Sequence, residues 1–187
     1  RVTFVSKNEQ FDTSTAIGEA MLKIVLVFAE LERNMTSERV TATMISRANN
    51  GQWNGGRVPF GYSYDSGTTT FSIREDEAVV CRRLKDLYLD NKSLVYTARA
   101  LNADGYKTRA GADWTPTAVW IIASSPFYAG IYRYNRYKGT ENRTLNPEEE
   151  WVMIPDHHPA IFTLEEHEAM KSSLKTNARY VDNPVGK

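Results

Sequence analysis

Apolar residues crowd one stretch of this chain and thin out in the next. Between residues 21 and 31, Met21, Leu22, Ile24, Val25, Leu26, Val27, Phe28, Ala29 and Leu31 run nearly all round a helix, a pattern that requires burial on several sides. Asp12, Thr13, Ser14 and Thr15 offer four successive N-caps ahead of it, and the short apolar stretch Val2, Phe4, Val5 before them reads as the end of a strand. From residue 16 to about residue 50 there is no proline and one glycine, Gly18, and Asn49, Asn50 and Gly51 form a helix stop. The pattern predicts one helix of about 35 residues, ~50 Å long. After Glu32 its apolar residues thin to Met35, Val40, Met44 and Ile45, while Arg33, Arg39 and Arg47 stand among Asn, Thr and Ser. That half is solvated or laid against something anionic. Arg33 and Arg39 lie about 120° apart around the helix, a spacing suited to flanking a phosphate backbone. One reading is a core helix with an amphipathic tail; the other is a helix that leaves one domain, dimerises and runs onto nucleic acid.

Residues 51–62 hold four glycines and a proline, which argues for an extended, irregular arm, basic at Arg57, with Trp53, Phe60 and Tyr62 as anchors. Alternation of Tyr62 and Tyr64, then Phe71 and Ile73, around Asp65, Ser66 and Gly67 predicts a hairpin. Residues 75–89 read as an amphipathic helix in which Cys81 is a small buried hydrophobe. Ser93 caps a further helix that ends at Asp104 and Gly105, and Thr115 caps another with Pro116 at its first position. Two short helices so spaced suggest a helix-turn-helix with an enlarged turn, carrying Lys107, Thr108 and Arg109 in the turn and Thr115, Thr117, Ala118 and Trp120 at the exposed start of the second helix. The alternative is a plain helical hairpin with Trp114 and Trp120 in its core. Residues 131–136 alternate as a strand, with Trp151, Val152 and Ile154 as its partner. Arg133 and Arg136 differ in parity there, so one strand face holds both only if the strand ends between them. Thr163 and Glu166 make a capping box for a last helix through Leu174. The fold class is α+β, a long N-terminal helix leading into a small mixed domain with a helix-turn-helix-like pair and short antiparallel strands.

Composition narrows the classes. Of 187 residues, 41% are apolar and 11% aromatic, enough for a real core and unlike a disordered chain. No strictly apolar run exceeds the six residues of 24–29, against the roughly 18 needed to span a bilayer, so no membrane partner is expected. One cysteine closes no internal disulfide, which fits a reducing, cytoplasmic setting. A start at Arg1, without an initiator Met or a signal segment, is that expected of an excised fragment. The 23 basic and 23 acidic residues cancel overall but not locally. Residues 99–143 hold seven basic against three acidic residues, and residues 148–168 hold seven acidic and no Lys or Arg. That asymmetry suits a polyanion-facing surface and a separate acidic one, or simply two solvated faces.

Familiar catalytic motifs are missing. No phosphate-binding glycine loop occurs and no Ser, His, Asp order has motif support. Asp156, His157 and His158 invite a metal or acid/base reading, but adjacent histidines are expected on different sides and no third ligand recurs at spacing, so no metal site is assigned. The residues by themselves describe an α+β nucleic-acid-binding fragment.

Several blocks then carry a resemblance. Phe11 to Gly18 in sequence, then Phe28, Ala29, Glu30, Leu31, Glu32, Arg33 and Ser37, Glu38, Arg39, Val40, resemble the last strand, loop and long helix of the resolvase/invertase catalytic domain of large serine recombinases. Gly55, Gly56, Arg57, Val58, Pro59, Phe60, Gly61 and Tyr62 are similar to the opening of the recombinase domain that follows it. Leu101, Asn102, Gly105, Trp114, Val119, Pro126, Tyr128, Ala129 and Gly130, then His158, Ala160 and Ile161, match its later parts. The blocks span roughly residues 8 to 175 in the family's order.

The resemblance implies site-specific recombination: a serine attacks a DNA phosphate, forms a 5′-phosphoserine link, and strands exchange after subunit rotation in a tetramer that integrates or excises a mobile element. It implies residues 1–50 as the truncated end of the catalytic domain, 51–180 as the recombinase DNA-binding domain, and 181–187 as the start of a linker to a zinc-ribbon domain. Zinc is expected only in that further domain, with no cofactor in this fragment. Neither Ser6 nor Ser14 occupies the nucleophile's place, so no catalytic residue carries over and the fragment alone is expected to be inactive. By the family's architecture the long helix lies over the minor groove near the crossover point, and the recombinase domain contacts the adjacent major groove. Candidate contacts to duplex attachment-site DNA are Arg33, Arg39, Arg47, Arg57, Lys107, Thr108, Arg109, Thr115, Thr117, Arg133, Arg136 and Lys138. Met21, Leu22, Val25, Phe28 and Ala29 are the candidate self-association surface of a dimer. Two alternatives stand beside this: a non-enzymatic DNA-binding regulator sharing the domain, and a protein-interaction module built on residues 21–31.

Overall fold

The structure is a computed structural model that describes residues 5–6, 11–12, 15–139 and 143–181, with side chains from residue 15 to residue 177 outside the gap. The expected strand residues Val2 and Phe4, the caps Thr13 and Ser14, and residues 182–187 of the expected linker lie outside the described residues. The chain forms two compact units, Arg1–Ser46 and Arg47–Lys187.

In the first unit, β1 (Val5–Ser6) pairs antiparallel with β2 (Phe11–Asp12), and α1 (Ala16–Asn49) follows. The helix starts where its cap predicts, the Gly18 N–H donating to Thr15 Oγ1 at 3.0 Å. At 34 residues it has the expected length. The burial expected for residues 21–31 is not supplied by the described residues: Met21, Val25 and Phe28 are 56%, 57% and 64% exposed. No helix among the described residues is long and apolar enough to cross a membrane.

The second unit begins with the last turn of α1, followed by the irregular arm and the predicted hairpin of β3 (Tyr62–Asp65) and β4 (Thr70–Ile73). The hairpin turn is tied by Asp65, whose carboxylate accepts from the Gly67 N–H at 2.8 Å and from Thr68 Oγ1 at 3.0 Å. Next come α2 (Glu75–Asn91), α3 (Leu94–Ala103) and α4 (Pro116–Ser124). Ser93 Oγ accepts from Tyr96 N and Thr115 Oγ1 from Ala118 N, both at 3.2 Å, so both caps form as the sequence predicts. A 3₁₀ turn over Pro126–Ala129 leads to β5 (Tyr132–Tyr134), which pairs antiparallel with β8 (Val152–Ile154), while β6 (Tyr137–Lys138) pairs with β7 (Thr144–Leu145). The last helix, α5 (Leu164–Val181), opens on a complete capping box: the Thr163 N–H donates to Glu166 at 2.8 Å and Glu166 N–H to Thr163 Oγ1 at 3.2 Å. It runs past Leu174 because neither Gly nor Pro occurs between there and Val181.

Two kinds of core hold this unit together. The helices bury Ala78, Cys81, Leu84 and Tyr88 of α2 with Leu101 of α3, Val119 of α4 and Met170 of α5. Burial pushes the Cys81 thiol up to about 12, so it is the inert hydrophobe its position suggests. The strands are joined by aromatic rings: Trp53 of the arm meets Phe71 edge-on at 5.2 Å, Tyr62 meets Phe127 at 5.1 Å, and His158 stacks on Phe127 at 3.8 Å.

His157 and His158 do not point apart as a strand alternation would have them. Asp156 adopts a left-handed backbone, φ 52°, and the turn brings the two Nδ1 atoms to 2.9 Å. His157 Nε2 lies 2.8 Å from the Gly51 carbonyl and His158 Nε2 2.6 Å from that of Phe127. Each ring thus anchors a different segment, and no cluster able to hold a metal occurs among the described residues.

Candidate nucleic-acid interface

The arm is held by one buried charge. Glu77 sits in the first turn of α2 on the same stripe as Cys81, Leu84 and Tyr88, and is 6% exposed. Its carboxylate accepts from the Gly61 N–H at 2.7 Å and from Arg109 Nε at 2.8 Å, and Arg109 Nη2 adds a second hydrogen bond to it. Arg109 Nη1 donates to the Val58 carbonyl at 2.9 Å, and Nη2 also reaches those of Pro59 and Tyr62 at 3.1 and 2.9 Å. Burial pushes the Glu77 carboxyl up. The hydrogen bonds from Arg109 and Gly61, with the charges of Arg109 and Arg74, outweigh that and hold it below the usual carboxylate range. Gly61 meets this site with φ +92°, and a Cβ there would lie 2.8 Å from Ile161 Cδ1.

The two helices of the predicted pair pack together, and their connection is bracketed by Asn102. Its side chain donates to the Trp114 carbonyl at 2.9 Å and accepts from the Trp114 N–H at 2.7 Å. Of the two tryptophans that a plain hairpin would bury, Trp114 is 4% exposed and Trp120 is 48% exposed. The connection also uses the groups expected to face a ligand. Lys107 pairs with Asp113, Thr108 Oγ1 donates to the Ala112 carbonyl at 3.1 Å and accepts from its N–H, and Arg109 forms the clamp just described. Thr115 is the α4 cap, while Thr117 is exposed beside it. Between α4 and the arm lies a groove of about 490 Å³, walled by Val58, Pro59, Phe60 and Ile121, with Arg57 at its rim.

The strand arginines are arranged differently. β5 ends at Tyr134 and Asn135 takes φ 59°, so Arg133 and Arg136 arrive on the same side despite their parity. Their guanidinium carbons lie 5.7 and 5.5 Å from the Trp151 ring. Arg136 also lies 5.1 Å from Tyr137, and Arg143 reaches the other Tyr137 contact at 4.8 Å. Trp151 is itself tethered, its Nε1–H donating to the Asn146 carbonyl at 2.9 Å. Lys138 is exposed on the neighbouring β6.

Arg47, in the last turn of α1, donates from Nε to Asn54 Oδ1 at 3.2 Å and from Nη2 to the Trp53 carbonyl at 3.4 Å. Arg33 and Arg39 are exposed on α1 in the first unit, as are Met21, Val25, Phe28 and Ala29, with Leu22 half-buried. The structure therefore brings Arg133 and Arg136 together and draws Arg109 and Lys107 into internal pairs. Sequence reasoning missed the roles of Glu77, Trp151 and Arg143. For Glu77 a signal existed, a lone acid on an otherwise apolar helical stripe. For the other two no sequence spacing announces the cation–ring contacts.

Comparison with known proteins agrees with this layout. The family model of the resolvase N-terminal domain matches residues 1–53, and that of Recombinase matches residues 75–177. A crystal structure of an LSR–DNA complex is similar in fold, with a TM-score of 0.56 at 20% identity over 79% of this chain and 41% of that one. A second, from work on the sequence requirements of the Listeria innocua prophage attP site, has a TM-score of 0.54 at 19% identity over 73% of this chain and 51% of that one. The chain thus spans between two-fifths and about half the length of these proteins. Because the second family match alone runs over more than half of its residues, the chain belongs to the Recombinase family, with a resolvase-type segment ahead of the matched domain.

Proposed function

We propose that this chain is the DNA-binding portion of a serine-type site-specific recombinase, an enzyme that cuts and rejoins duplex DNA through a phosphoserine intermediate to integrate or excise a mobile element. The observation that carries the reading is the order of parts. A resolvase-type segment leads through a long helix with exposed Arg33 and Arg39, then a glycine-rich arm, into a Recombinase-family domain. The two similar structures, one a DNA complex and the other from work on a prophage attP site, support DNA as the partner here. In this reading the nucleophilic serine belongs to the catalytic domain of the parent protein and is not among these residues, so the chain binds DNA without cutting it. Self-association through α1, a zinc-bearing domain in the parent and a cytoplasmic setting belong to the same proposal.

The test is a salt titration of the 187-residue chain on a duplex carrying the attachment half-site of its own mobile element, against a scrambled duplex of equal length. Neutralising about six phosphates gives a log–log slope near −5 and a ~10³-fold loss of affinity between 50 and 200 mM salt. Steep dependence with preference for the half-site supports the proposal. Absence of binding at low salt refutes it.

A further inference from the structure

Several cations of the domain are matched by carboxylates. Arg74, Arg82, Arg83, Lys85, Lys107 and Arg109 each pair with an Asp or Glu. Arg133, Arg136 and Arg143 differ: like Arg47, Arg57, Arg99 and Lys138 they have no ion pair among the described residues, but unlike those they lie over the faces of Trp151 and Tyr137. The acidic turn Glu148–Glu150 lies directly before Trp151 in sequence yet forms no ion pair with them. Arg136 is drawn in so far that its Nε is sealed from solvent without a hydrogen-bond partner. Burial, followed by the charge of Arg136, lowers the basicity of Arg133.

Gathering like charges and partly desolvating them is unfavourable unless an anion completes the site. Stacking on an aromatic face fixes the plane of a guanidinium while leaving its edge N–H groups free, the geometry that suits phosphate oxygens. A rigid, pre-stacked arginine also loses less side-chain freedom on binding than a free one.

We propose that Arg133, Arg136 and Arg143, lying over the rings of Trp151 and Tyr137, form a phosphate-backbone clamp for duplex DNA, with Trp151 as the positioning residue against which two of the three guanidinium groups rest. This rests on the DNA-binding reading above and deepens it by assigning the main backbone contact to the β5–β8 and β6–β7 ribbons. The loop of Lys107 and Arg109, whose cations already pair with Asp113 and Glu77, is given no part in this clamp.

The test compares salt slopes on one duplex for the wild-type chain, Arg143→Gln, the triple variant Arg133→Gln/Arg136→Gln/Arg143→Gln, Trp151→Leu and Trp151→Phe. Each lost phosphate contact lowers the slope by about 0.9, so the triple variant is expected to lose nearly three units and the exposed Arg143→Gln, which leaves the fold untouched, about one. Trp151→Leu keeps every charge and is expected to weaken binding about tenfold, and Trp151→Phe, which restores an aromatic face, recovers most of it. If the wild type binds steeply and both Arg143→Gln and the triple variant keep its slope, the clamp is refuted while DNA binding stands. If the wild type itself shows no salt-dependent binding, both proposals fall. Equal losses for Trp151→Leu and Trp151→Phe would refute the positioning role.

Discussion

Arg109→Ala tests how the arm is held. The substitution strands Glu77, 6% exposed, with the Gly61 N–H and a 3.4 Å contact to Arg74 as its remaining partners. It also removes the donor shared by three arm carbonyls. Breaking a fully buried ion pair costs about 3–5 kcal/mol. Arg109 keeps 29% of its side chain exposed, so water offsets part of that, and ~3 kcal/mol is the working figure. For a unit of roughly 140 residues the unfolding entropy is about 0.3 kcal/mol/K, which places the drop in Tm near 10 °C. Thermal denaturation followed by circular dichroism reads this directly. Lys107→Ala serves as the comparison, because its pair with Asp113 is about half exposed on both sides and is worth under ~1 kcal/mol. Arg109→Ala and Glu77→Ala are expected to be strongly non-additive, with the double variant scarcely worse than either single one. DNA affinity gives a further discrimination. A clamp predicts that Glu77→Ala weakens binding together with stability, whereas an arginine reserved for DNA would be released by losing its carboxylate and bind more tightly. An Arg109→Ala chain melting within 2 °C of the wild type would refute the reasoning.

Gly61→Ala forces a side chain into a positive-φ position and against Ile161 and Cys81, so a loss of about 2–4 kcal/mol is expected in urea denaturation, and an unchanged midpoint would contradict the packing described. Burial, opposed by the Phe127 carbonyl and reinforced by His157, lowers His158 to about 4. The unfolded imidazole takes up its proton near 6.5, so stability is flat above that pH and declines between 6.5 and 4, by up to ~3 kcal/mol from this group. Urea midpoints of the wild type and His158→Asn between pH 7.5 and 4.5 check this, and parallel profiles would remove His158 as the cause. Thr115→Ala deletes the α4 cap at a cost of about 1 kcal/mol, and a thermal shift no larger than that of Thr117→Ala, an exposed neighbour without a capping bond, would count against the cap's importance.

Local rules made much of the fold readable before any coordinates. The caps at Ser93, Thr115 and Thr163, the Asp65 turn, the β5–β8 pairing and the length of α1 each follow from interactions within a few residues, or from alternation along one strand. Charge counting located a basic region but could not rank its members. Arg109 and Arg133 look alike in sequence, and only packing decided that one meets a carboxylate 32 positions earlier and the other an indole ring. The histidine pair shows the same limit, since a single left-handed residue turned two rings that alternation would separate into contact. Propensity, capping and periodicity are short-range and survive in the linear chain. Which charge finds a partner, and which is left facing outward, depends on long-range contacts that exist only once the helices and ribbons have packed.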